Sequence, residues 1–188
     1  SAVPYRRNPW QADRAKVKVT EADAAVAEKQ TMVATTDAKL KDSQQTIATL
    51  TEQLKTITGE LAAYATQQQT SRDDFAKAVT EQQTSIEGLA KVQTQLAGVN
   101  TLTGSSAEEI NAAILAVKEA SAAADEAAKK LAALNNAAAE LAKLAAATKE
   151  MEASKLKEKS DAETAVSTMT KDAETAQAAL AEAQKAAE

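Results

Sequence analysis

The 188-residue chain contains no cysteine and no histidine. Without cysteine it has no disulfide, thiol nucleophile or thiolate metal site. Without histidine it also lacks the commonest general base and zinc ligand. Aromatic residues make up 2% of the chain, with a single Trp and a single Phe. An ordinary compact core uses far more, because aromatic side chains dominate burial there. No apolar run approaches the ~20 residues of a membrane span. Asn-x-Ser/Thr acceptor sites are missing. So is a phosphate-cradling loop, since the stretch from Gly98 to Gly104 has neither the required lysine nor a preceding strand.

Carboxylates do occur in pairs, at Asp73-Asp74, Glu108-Glu109 and Asp125-Glu126. Neighbours on a helix point about 100° apart and cannot converge on one substrate atom. They read as solvated helix charges. These absences predict a chain that is not an enzyme and holds no cofactor or metal.

What remains is Ala, Leu, Glu, Lys, Gln and Thr, interrupted by four glycines and two prolines. Most of these are strong helix formers. Periodicity separates long helices from disorder. Val19, Val26, Val33, Leu40, Ile47, Leu54 and Leu61 follow at steps of seven. Companions three residues on run from Ala22 and Lys29 to Leu50, Ile57 and Tyr64. A repeat of 3.5 residues keeps one seam facing a partner and imposes a left-handed supercoil. Phe75, Leu89 and Leu96 return in phase beyond Gln67-Gln68-Gln69, with Gln82 as the exception and Val79 and Ile86 widening the stripe. One helix through the glutamines is therefore expected, starting near Thr20, whose hydroxyl with Asp23 offers an N-cap.

A break comes at Gly98-Val-Asn-Thr-Leu-Thr-Gly104, and Ser106-Ala-Glu-Glu109 is a capping box. Ile110, Ile114 and Val117 open a second pattern, which continues through Leu131, Leu134, Leu141, Leu144 and Met151. It weakens across Lys155–Lys159 and resumes from Ala162 to Ala183. The predicted fold is all-α: an extended basic arm over residues 1–18, then a long antiparallel coiled-coil hairpin over 19–188. Its parts are a helix over 20–98, a turn over 99–105 and a helix over 106–187, each helix running roughly 120 Å at 1.5 Å per residue. Pairing about residue 102 would set Gln67–Gln69 against Asn135-Asn136 as a polar layer that fixes register. The alternative is a four-helix bundle with breaks near 68 and 136.

Charge and chemistry are unevenly placed. Residues 1–18 carry Arg6, Arg7, Arg14, Lys16 and Lys18 against Asp13 alone, a net of +4, which leaves −9 on the rest of a chain of net −5. Both prolines, the tryptophan and two of the four arginines fall within Pro4–Trp10. Tyr, Trp and Arg are the residues that dominate interface hot spots, so Tyr5, Arg6, Arg7 and Trp10 are the candidate partner-binding residues. An acidic body with one short basic arm offers too few phosphate contacts for nucleic acid. A lipid-surface helix wants a broad apolar face with aromatics, whereas this stripe is narrow. The sequence begins at Ser1 with no apolar leader, which fits a processed mature form, exported or imported into an organelle. An alanine-rich seam also buries little area, so self-association or anchoring in a larger assembly is expected. The reading that follows is a structural, scaffolding or linker subunit, with peripheral lipid binding as the alternative.

Overall fold

Two helices account for nearly all of the computed structural model, which describes residues 9–101 and 104–188. Helix α1 is Pro9–Thr101, 93 residues, and helix α2 is Ala107–Ala187, 81 residues. They pack against each other as an all-α helical hairpin. By contacts the chain forms two compact units, Ile57–Glu152 around the turn and Ser1–Thr56 with Ala153–Glu188.

Helix α1 begins eleven residues earlier than the sequence reading placed it. Pro9 is its first residue. A first-turn amide has no intrahelical acceptor, so proline loses nothing there, and its fixed φ already suits the helix. The extended arm therefore cannot reach residue 18. Thr20 is no N-cap either: its hydroxyl donates to the Lys16 carbonyl at 3.0 Å from the helix interior. Thr36, Thr51 and Thr170 bond back four residues at 2.8 Å in the same way. This back-bonding is how so many threonines sit inside helices without leaving the hydroxyl unsatisfied.

Both helices pass without interruption through the positions where a four-helix bundle would break, residues 68 and 136. The expected turn over 99–105 is cut short at its start, because α1 continues through Gly98, Val99 and Asn100 to Thr101. Gly104 has φ of 97°, in the region that favours glycine. Ser106 then caps α2, its Oγ accepting from the Glu109 amide at 3.1 Å while its carbonyl accepts from the Ile110 amide.

The buried seam alternates steps of three and four without a slip. On α1 within the turn-side unit it runs Ile57, Leu61, Tyr64, Gln68, Ser71, Phe75, Ala78, Gln82, Ser85, Leu89, Val92, Leu96, Val99. On α2 in that unit it runs Ile110, Ala113, Val117, Ala120, Ala124 and on to Thr148 and Glu152. The other unit continues the alternation with Ala22 to Leu54 and with Lys155 to Ala183. Lys155 and Lys159, where the sequence pattern weakens, thus occupy seam positions. Their stems are covered while their ammoniums pair with Glu158 at 3.7 Å and Glu163 at 4.0 Å. Among the described residues full burial is scarce: Leu50, Ile57, Ala78 and Ala176, with Thr148 as the buried polar residue.

The register differs from the expected one. Ser43 lies against Met169 at 3.3 Å, and Glu81 against Lys130 at 2.9 Å. The midpoint of each pair falls at about residue 106, four residues beyond the expected pivot at 102. Gln68 accordingly shares a groove with Ala138 and Leu141, and Asn135 and Asn136 are exposed. No glutamine–asparagine layer forms.

Candidate interaction surfaces

In an antiparallel pair, residues just after the second seam position of each heptad share one flank. Those just before the first share the other. The turn-side unit is different on its two flanks. On one, Glu81 and Lys130 each precede a seam residue (Gln82 and Leu131) and form the ion pair at 2.9 Å. The Lys130 ammonium, by hydrogen bond and then by charge, holds the Glu81 carboxyl below its ordinary 4.5. On the other flank Val79 and Ile86 follow Ala78 and Ser85, and Ile114, Ser121 and Ala128 follow Ala113, Ala120 and Ala127. Ile86 and Ile114 are 53% and 50% exposed there.

Size misleads the sequence reading at this point. Ile114, Leu144 and Met151 look like stripe residues because they are the largest apolar side chains nearby, yet all three are exposed. Ala113, Ala145 and Glu152 hold the seam instead. Val79 and Ile86, expected to widen the stripe of α1, also stay exposed. The signal that could have found this is strict phase, extended back from Leu131 and Leu134.

Of the residues expected at the coiled-coil seam, Val26, Val33, Leu40, Ile47, Leu54 and Leu61 are half-buried, and Val19 is 61% exposed. The offset fixed by Ser43 and Met169 brings Ala187 level with about residue 25 of α1, so nothing described in α2 stands opposite Val19.

Tyr5, Arg6 and Arg7 lie outside the described residues. Trp10 is in the first turn of α1, 62% exposed, with the Arg14 guanidinium 4.6 Å from its ring centroid. That distance is a cation–π contact, and it sets an aromatic and a fixed positive charge side by side. Sequence reading named Trp10 but not Arg14; helical spacing of four would have supplied it once Pro9 was taken as a helix start. A groove of about 490 Å³ lies on the seam side of the same segment, lined by Ala12, Ala15, Lys16, Val19 and Thr20.

Among the described residues no group of three or more carboxylates could hold a metal ion, and no helix is long and apolar enough to cross a membrane. No family model, curated protein or solved structure matches the chain.

Proposed function

We propose that the protein is a non-enzymatic structural subunit, a coiled-coil strut or linker in a larger protein assembly, anchored through its N-terminal segment. The observation that carries this reading is the contrast between the seam and the Trp10–Arg14 pair. Along the helices, side chains are spent on a narrow, alanine-rich contact with few buried residues. Such a contact stabilises modestly, at about 25 cal/mol per Å² of apolar area. At Trp10 a large indole is mostly in water beside a guanidinium, the combination that anchors protein interfaces.

Deleting residues 1–14 tests it. The truncated chain should keep its helical circular dichroism and lose the proteins that co-purify with the full chain. Unchanged co-purification removes the anchor from this reading. Flotation of the full chain with liposomes would instead favour peripheral lipid binding, for which exposed apolar side chains such as Ile86, Ile114, Leu144 and Met151 are available.

A further inference from the structure

The flank of the turn-side unit that bears Ile86 and Ile114 has a pattern that the strut reading leaves unused. Along α2 it reads Ile114, Lys118, Ser121, Asp125, Ala128, Ala132, again at alternating steps of three and four. Large apolar bulk is at one end, where Leu115 joins Ile114 at 53% exposed, and alanines are at the other. Lys118 and Asp125, seven residues apart, are in no ion pair among the described residues. At about 10 Å along the axis they cannot meet within one helix. On the opposite flank Glu81 and Lys130 pair with each other across the two helices.

We infer that this flank is a self-association surface, on which a second copy of the chain packs with its α2 antiparallel about a two-fold axis at Ser121. The sequence of the stripe selects that occupant and that orientation. Turned about Ser121, Lys118 of one copy meets Asp125 of the other, and the pair occurs twice because a two-fold interface is isologous. Ile114 and Leu115 come over Ala128, so large meets small. Ser121 at the axis is small enough for close approach of the backbones. A parallel arrangement would set lysine on lysine and isoleucine on isoleucine. On α1, Val79 and Ile86 border the same stripe and extend its apolar area.

From Ile114 to Ala132 the stripe runs ~27 Å, and a contact of that length, with Val79 and Ile86 beside it, buries on the order of 1,000 Å² in total, the lower edge for a specific interface. The dimer is thus reversible and concentration-dependent. It goes beyond the proposed strut and owes nothing to the N-terminal segment, so a chain lacking residues 1–14 keeps it.

Sedimentation equilibrium on the full chain, from micromolar to submillimolar concentration, tests this surface. Monomer–dimer exchange is expected. Lys118→Asp or Asp125→Lys alone weakens it by about tenfold or more, because each sets like charges across the axis. An equimolar mixture of the two variants restores opposite charges at both contacts and recovers wild-type association. Ile114→Glu abolishes the dimer, and Leu144→Glu on the other flank does not; circular dichroism confirms that each variant remains helical. A chain that stays monomeric throughout the range overturns the inference. So does a mixture that fails to recover, or a dimer indifferent to Ile114→Glu. A flank that instead takes lipid or an unlike protein gives the monomeric result.

Discussion

Ile57 and Ile86 are the same residue type on the same helix, yet one is 5% and the other 53% exposed. Truncation separates them. Ile57→Ala should cost about 2–3 kcal/mol, the low end for a buried aliphatic, since a two-helix seam can partly collapse onto the gap. Ile86→Ala in dilute solution should stay within about 0.5 kcal/mol of wild type. Urea unfolding followed by circular dichroism measures both. Equal losses would mean that the flank is as buried as the seam. Glu81 supplies a second residue-level test. Its folded pKa lies below the ordinary value, so its pairing with Lys130 favours folding above that ordinary value and the contribution is lost as pH falls through the folded pKa. Titration by NMR should place the Glu81 carboxyl below 4.5, and Lys130→Met should return it towards 4.5. At such an exposed site, high salt should narrow the difference.

At the scale of the element, the glycines predict opposite signs. Gly59 and Gly88 sit in the middle of α1 with nothing within 4 Å of where a Cβ would be. Alanine at either position should stabilise by about 0.5–1 kcal/mol, through propensity and a less flexible unfolded chain. Gly104→Ala in the turn should destabilise by about 1 kcal/mol or more, because φ is 97° there. Thermal unfolding of the three variants reads the sign directly. Ser106→Ala should also destabilise, by about 1 kcal/mol, through loss of the Glu109 amide's partner. The cap at Ser106 and the course of both helices were legible in the sequence, because a capping box and a seven-residue repeat each have one dominant local meaning. The end of α1 was not, since the helix passes through Gly98 to Thr101 while Gly104 takes the positive φ. Nor was the start at Pro9. Proline excludes a helix from passing through it but favours one that begins at it, and composition alone does not say which.

For the whole molecule the decisive quantity is register. Of two double-cysteine variants in a chain that has no other thiol, Ser43→Cys with Met169→Cys should be the one to form an intramolecular disulfide, because these positions face each other across the seam, with Ser43 Oγ 3.3 Å from Met169 Sδ. Gln68→Cys with Asn136→Cys should not, because Asn136 is exposed and Gln68 lies beside Ala138 and Leu141. Gel mobility under non-reducing conditions distinguishes them, and the reverse result would restore the pivot at 102. Register was illegible because it is fixed by many small contacts summed along an alanine seam, none individually strong. Two polar clusters at matching heights are a weaker signal than their prominence in the sequence suggests. The same holds for the candidate anchor: Trp10 could be named in advance, but its pairing with Arg14 depended on a helix not expected there.

The unslipped alternation of threes and fours also makes length a quantised property. Removing seven residues from α1 and seven from the facing stretch of α2 returns every remaining side chain to its own side of the seam. The hairpin is then shorter by ~10 Å. Removing five or nine rotates one helix against the other and exposes the seam beyond the cut. A lineage, or an engineer, can therefore change the reach of this chain in whole heptads alone.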